Sequence, residues 1–295
     1  MAYIDIKDLI DKDRIAAQKG RDIGNDERVF IVTGAAQGFG YGIAAAFAAI
    51  GSKVCIADVN VKAAQEAADQ LSAEYKADVI GIGADVSDEE SVCSMVYGTV
   101  ERFGGLDVMI SCAGIVKAGD IMDLDKADFD RMNAVNYTGL FLCSRYAAGV
   151  MKEQQKLDPE RMHDIIQINS KSGLEGSRAN FAYTGSKFAG IGLIQSFALD
   201  LAPYGIKVNA ICPGNYLDGP LWSDPEKGLF KQYLDAGKVP GARNTEDVRA
   251  HYEAKVPLGR GCFVEDVVCA VKYVIEQKYE TGQAVPVTGG QVMMR

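Results

Sequence analysis

Short β-branched runs alternate with helical patterns over almost the whole chain, and that alternation constrains the fold more than any other feature. Residues 29–32 (Val-Phe-Ile-Val) are the first run, followed by a Gly-rich turn and an Ala-rich helical stretch. Further strands are predicted at 53–57, 79–83, 106–112, 164–168, 207–212 and 284–287. Helices are predicted at 61–75, from a Ser87-x-x-Glu90 capping box toward Phe103, at 131–155, at 181–201 and at 265–276. Strands separated by helices pair in parallel, because a parallel partner is reached only by a crossover. The expected fold class is therefore α/β: a single Rossmann-type, doubly wound parallel sheet with helices on both faces. Neither an internal repeat nor a linker interrupts it. Residues 29–295 are read as one domain, and a Gly/Pro-rich segment at 213–262 is expected to cover the substrate. Residues 1–28 are read as an extension with one amphipathic helix carrying Ile4, Leu9, Ile10 and Ile15, and one use for it is packing against a neighbouring subunit.

Composition narrows the partners. The 295 residues include 40 acidic and 31 basic side chains, for a net charge of −9. Such a surface argues against general nucleic-acid binding and against adhesion to anionic membranes. The 48% apolar content suffices for a large core, yet no apolar stretch nears the roughly 18 residues of a membrane helix. The seven cysteines are odd in number, lack a C-x-x-C pair and sit in apolar runs, which suits small core residues in a reducing compartment. His163 and His251 have no ligand-spaced cysteines, so no metal is expected. The acidic N-terminus lacks the apolar core of a signal peptide, and the cytoplasm is the expected location.

Thr33-Gly34-Ala35-Ala36-Gln37-Gly38-Phe39-Gly40 lies between the first strand and the first helix. There Gly34 can make the tight turn, and Gly38 and Gly40 let backbone N–H groups approach a pyrophosphate. Asp58 ends the second strand, 18 residues after Gly40, where a carboxylate accepts ribose hydroxyls and repels a 2′-phosphate. Val59 follows it, so no Arg stands ready for that phosphate, and NAD is favoured over NADP. Asp85 and Val86, after the third strand, can flank the adenine, though an ordinary turn explains Asp85 equally well.

At the other end, Tyr183 and Lys187 are four apart on a predicted helix and share a face. The ammonium favours the phenolate, so Tyr183 can act as base in oxidation and as acid in reduction. Tyr3 and Lys7 share the spacing, so the pair alone proves nothing. Ser170 raises its weight: at the end of the fifth strand, its hydroxyl can hydrogen-bond an oxygen on which charge builds. Asn136, within Val135-Asn136-Tyr137, reads by itself as a polar helix residue.

Together, Thr33-Gly34-x-x-x-Gly38-x-Gly40, Asn136, Ser170, Tyr183-x-x-x-Lys187 and Pro213-Gly214 resemble the short-chain dehydrogenase/reductase family over about residues 29–295. The resemblance implies a Tyr183 acid/base, a Ser170 that orients the substrate, a Lys187 that binds the nicotinamide ribose and tunes Tyr183, and an Asn136 that holds a water in a proton relay. It implies NAD contacts from Gly34, Gln37, Gly38, Phe39, Gly40, Asp58, Asp85, Val86, Cys112, Ala113, Gly114, Tyr183, Lys187, Pro213 and Gly214. A homotetramer or homodimer built on the long helices is implied as well. Two departures stand out. Ser111-Cys112-Ala113-Gly114 replaces the family's Asn-Asn-Ala-Gly, and no Thr follows Pro213-Gly214 to meet the nicotinamide amide.

Three stretches, Ile166 to Gly173, Lys255 to Cys262 and Val287 to Met293, resemble the family's NAD-linked polyol-phosphate dehydrogenases, which interconvert a polyol phosphate and a ketose phosphate. Lys171 after the serine is the most distinctive residue. A phosphorylated sugar alcohol needs Lys or Arg donors. Between Lys227 and Cys262 there are seven basic and four acidic residues, a local reversal of the chain's charge. Ser170, Lys171, Ser172, Arg178, Tyr183 and Asn215 are the expected substrate contacts. Ordinary salt bridges explain any single one of the basic residues equally well. A free sugar alcohol or a hydroxysteroid is the alternative substrate, and a non-catalytic dinucleotide sensor the alternative outside enzymes.

Overall fold

The seven runs become seven parallel strands: β1 (Val29–Thr33), β2 (Lys53–Asp58), β3 (Val79–Gly83), β4 (Val108–Ser111), β5 (His163–Ile168), β6 (Ile206–Pro213) and β7 (Ala284–Val287). Their order in the sheet is β3-β2-β1-β4-β5-β6-β7. The computed structural model describes residues 5–293, so Ile4 lies outside the described residues. Every residue of β1, β4, β5 and β6 is buried, as a parallel sheet covered on both faces requires. Side chains alternate along each strand. Ile31 faces one layer, and its neighbours Phe30 and Val32 face the other.

The chain opens with two short helices, α1 (Ile6–Leu9) and α2 (Lys12–Gln18), rather than the single one expected. Asp5 and Asp11 each accept a backbone N–H at their starts, so the break at Ile10 comes with a fresh N-cap. The extension packs on its own chain: Ile10 and Ile15 are buried in the same apolar layer as Ile31. Beyond β1 come α3 (Gly38–Ala48), α4 (Val61–Tyr75) and α5 (Glu89–Phe103). The cap of α5 is Asp88, which accepts the Glu90 N–H, and not Ser87, which bonds back to Asp85. A carboxylate beside the positive end of a helix is the better cap of the two.

The long helical region starts earlier than expected and carries a widened turn. α6 (Lys126–Asn133) runs through a π turn at Ala134–Thr138 into α7 (Gly139–Leu157). α8 (Phe181–Leu201) follows β5. The Gly/Pro-rich segment after β6 is a helical cap, with α9 (Pro220–Ser223), α10 (Leu229–Asp235) and α11 (Thr245–Glu253), before α12 (Val264–Glu276) returns to the sheet. The cap has its own core of Leu217, Trp222, Leu229, Phe230, Tyr233, Val239, Val248 and Tyr252. Trp222 meets Phe230, Tyr233 and Tyr252 edge-on. No helix among the described residues is long and apolar enough to cross a membrane.

Asp107, just before β4, ties the extension to the edge of the sheet opposite the strand C-termini. Fully buried, it accepts hydrogen bonds from Arg14 Nη2 at 2.6 Å, Arg161 Nη2 at 2.6 Å and the Val29 N–H at 2.9 Å. Burial alone would push its carboxyl up, but Arg14, Arg161 and His163 override this and hold it well below the usual carboxylate range. Its folded pKa lies below its unfolded one, so its contribution is present above the unfolded pKa and is lost as pH falls through the folded value. Asp107→Asn, which leaves two buried guanidiniums without their anion, is expected to cost about 3–5 kcal/mol at pH 7. Urea midpoints of wild type and variant should differ most at neutral pH and converge in acid. Equal midpoints at pH 7 would remove Asp107 from this role.

Candidate active site

A cleft of about 1270 Å³ opens at the C-terminal ends of the strands, where β1 and β4 lie side by side and the chain reverses direction across the sheet. A single small ligand typically occupies roughly 300–1,000 Å³, so this cleft has room for two. Of the residues singled out from the sequence, Asn136, Lys171 and Arg178 do not line it; all the others do.

The half over β1 and β2 is shaped by backbone. Gly34 has φ +62°, and a Cβ there would stand 2.7 Å from Ala113 Cα, so only glycine lets the turns after β1 and β4 touch. Gly38 also has positive φ, and a Cβ there would meet nothing but open space. Gln37 caps α3 without a side-chain bond of its own, so it leaves the first N–H groups of that helix open toward the cleft. Together these form a backbone cradle with a positive helix end, which fits a pyrophosphate. Thr33 Oγ1 accepts the N–H groups of both Cys112 and Ala113 at 3.1 Å, locking the ends of β1 and β4 together. The Cys112 thiol is pushed up to about 12 by burial and stays neutral.

Asp58 stands at the end of β2. One carboxylate oxygen accepts the Ala36 N–H at 3.2 Å and the other the Asn60 N–H at 3.0 Å. An ionised carboxylate has about four acceptor sites, so its capacity for a ribose diol remains. Asp85 also reaches the cleft, but its Oδ1 accepts from both the N–H and the hydroxyl of Ser87, which hold its pKa down.

The half over β5 and β6 carries the side-chain chemistry. Lys187 is 4% exposed, and its ammonium donates to the Ile168 carbonyl at 3.1 Å and lies 5.6 Å from the centre of the Tyr183 ring. Asn169 binds α8 to β5 by donating to the Lys187 carbonyl at 2.9 Å and to Gln167 Oε1 at 2.7 Å. Ser170 Oγ accepts the Ser172 N–H at 3.1 Å, which leaves its O–H to donate into the cleft. Asn136, in the π turn, takes the Ile115 N–H on Oδ1 and gives its two amide protons to the Ile115 carbonyl and Ser186 Oγ. Its carboxamide clamps the loop after β4. A Cβ on Gly114 would lie 3.4 Å from Asn136 Oδ1 and 3.7 Å from Lys187 Nζ, so both side chains meet behind that glycine.

Lys171 pairs with Glu175 at 3.2 Å, and Arg178 is exposed. Asn215 is 9% exposed, and its Nδ2 has no hydrogen-bond partner among the described residues. Five residues of the site were not among the site residues expected from the sequence. Tyr216 stacks on Phe39 at 4.8 Å and links the loop after β6 to the Gly-rich turn. Tyr233 comes from the cap and lines the cleft. Thr33 and Asn169 hold strand ends in place. Asn180 lines the cleft one turn before Tyr183, 4% exposed, with Oδ1 unpartnered. Beside it Ala179 holds φ +51°, a left-handed conformation that costs a non-glycine residue of order 1–2 kcal/mol. A buried acceptor next to strained backbone at the cleft is suited to receiving a ligand hydroxyl.

Comparison with known proteins matches this architecture. The short chain dehydrogenase family profile matches residues 28–224. Sorbitol-6-phosphate 2-dehydrogenase of Escherichia coli K12 is 39% identical over 269 residues, covering 90% of this chain and 99% of that protein. The crystal structure of sorbitol-6-phosphate 2-dehydrogenase from Erwinia amylovora superposes with a TM-score of 0.82 at 38% identity, covering 90% of this chain and all of that one. A 3-ketoacyl-(acyl-carrier-protein) reductase from Brucella melitensis, solved with NADH, aligns with a TM-score of 0.76 at 25% identity over 94% of this chain and all of that one. With its seven-stranded parallel sheet and the Gly-rich cleft at the strand ends, this chain belongs to the short-chain dehydrogenase/reductase family and is an oxidoreductase acting on a CH–OH group.

Proposed function

We propose that the chain is an NAD-dependent dehydrogenase that interconverts sorbitol 6-phosphate and fructose 6-phosphate. The observation that carries this reading is the end-to-end similarity to two sorbitol-6-phosphate 2-dehydrogenases, in a chain where Ser170, Tyr183 and Lys187 meet at one end of one cleft. The backbone cradle at Gly34–Gly40 holds the pyrophosphate, Asp58 the adenosine ribose, and Asp85 and Val86 flank the adenine. Cys112, Ala113, Gly114, Pro213 and Gly214 line the way to the reacting end. The nicotinamide, when bound, supplies the hydride acceptor.

The chain's own residues handle the proton. Tyr183 Oη takes the hydroxyl proton of the alcohol in oxidation and returns it in reduction. The Lys187 ammonium, fixed by Ile168 and facing the Tyr183 ring, meets the nicotinamide ribose. Ser170 donates its O–H to the substrate oxygen as charge develops there. Asn136 acts through position, since its carboxamide is bound to Ile115 and Ser186. Asn180 Oδ1 and Asn215 Nδ2 offer a buried acceptor and a buried donor to a hydroxyl-rich substrate. The protein works as a cytoplasmic homo-oligomer through the exposed apolar residues of α7 and α8, among them Phe141, Phe188 and Leu199.

Three outcomes are expected. NADH formation with sorbitol 6-phosphate should far exceed that with sorbitol at equal concentration; equal turnover of the two rejects the phosphorylated substrate. Tyr183→Phe should lower kcat by about 10²–10⁴-fold while NADH still binds, followed by its fluorescence. An unimpaired kcat excludes Tyr183 from proton transfer. Asp58→Ala should lower kcat/KM for NAD about 10–100-fold and narrow the gap to NADP, by the loss of charged hydrogen bonds and of repulsion. An unaltered NAD to NADP ratio would show that Asp58 does not choose the cofactor.

A further inference from the structure

Four cations from separate parts of the sequence act on one another beside the cleft, just outside the residues that line it. Lys171 and Arg178 belong to the segment between β5 and α8, whereas Lys238 and Lys255 come from the cap. Lys238 Nζ lies 3.5 Å from Ser177 Oγ and 3.8 Å from the centre of the Tyr233 ring. Lys255 Nζ lies 4.9 Å from the centre of the Tyr252 ring, and the two tyrosine rings stack at 5.6 Å. Tyr233 lines the same cleft as Tyr183. The carboxylate facing the group is Glu175, 3.2 Å from Lys171 and near enough to act on Lys255. In a chain of net charge −9, a cluster in which Glu175 is the carboxylate recorded against four cations among the described residues runs against the overall balance.

The crowding has a cost that an anion removes. Burial first, then Lys171, Lys255 and Arg178, hold the half-buried Lys238 ammonium down to about 8. A phosphate ester carries about −1.5 to −2 charges near neutral pH and three acceptor oxygens, so it reverses every one of those repulsions. The cofactor's own phosphates do not compete for this place, because their cradle follows β1, across the sheet from the segment after β5.

We propose that Lys171, Arg178, Lys238 and Lys255 form the subsite for the substrate's phosphate, with Lys238 at its centre on the face of Tyr233. This rests on the reading of the substrate as a polyol phosphate and adds where the phosphate is held. The cap supplies two of the cations and the catalytic segment the other two, so a bound phosphate draws them together over the alcohol. Lys171 is turned from Glu175 toward the ester, and Arg178 closes the exposed side.

Lys238→Gln and Lys171→Gln test the subsite. Each should raise KM for sorbitol 6-phosphate about 10–100-fold, by loss of a charge-assisted hydrogen bond, and shrink the preference over unphosphorylated sorbitol by the same factor. NADH binding, read by fluorescence, reports that each variant is folded. Inorganic phosphate should inhibit the wild type competitively against sorbitol 6-phosphate, and Lys238→Gln more weakly. A wild type that prefers the ester, with both variants keeping that preference and phosphate sensitivity, would overturn the subsite and leave the substrate reading standing. A wild type with no preference for the ester would overturn the substrate reading and the subsite with it.

Discussion

The buried ammonium of Lys187 is the contact on which the rest of the site depends. It donates to the Ile168 carbonyl at the end of β5, while the Lys187 carbonyl receives Asn169 from the same strand end. These bonds fix the height and rotation of α8 against the sheet. Tyr183 lies one turn earlier on that helix and Ser170 one residue past Asn169, so both hydroxyls inherit their positions from it. A buried charge without partners is expensive, which makes the arrangement all-or-none rather than gradual. Asn136 completes it from the other side by binding Ile115 and Ser186, on the loop after β4 and on α8.

Two other ionic groupings show opposite uses of charge. At Asp107 the charges are directly paired: two guanidiniums converge on one carboxylate, and helix α2 is held to the sheet. Beside the cleft they are unmatched, with four cations and one nearby anion. Direct pairing holds a terminal segment in place, whereas the mostly unpaired cations beside the cleft are the group proposed to receive the substrate's phosphate.

Much of this was legible in the sequence. Short β-branched apolar runs alternating with helical patterns marked all seven strands, and the Gly-rich turn, Ser170, Tyr183 and Lys187 do meet in one cleft. What was hidden depends on tertiary packing. The cap helices α9 to α11 are four to nine residues long and begin at Gly219, Gly228 and Asn244, so their turn residues read as loop. The side chain of Asn136 looked like a polar helix residue, and its partners come from 21 and 50 positions away. Lys238 was one of seven basic residues in the cap until the fold half-buried it on Tyr233. Ser87 and Asp88 both make good caps, and a one-residue choice between them lies below the resolution of pattern reading.

A crystal structure of the protein with NAD and sorbitol 6-phosphate tests the central claim most directly, because it locates both ends of the substrate at once. The account predicts the phosphate in contact with Lys238 and Lys171, and the reacting hydroxyl within about 3 Å of both Tyr183 Oη and Ser170 Oγ. A phosphate that points to solvent or sits elsewhere in the cleft, with the hydroxyl away from Tyr183, would contradict it.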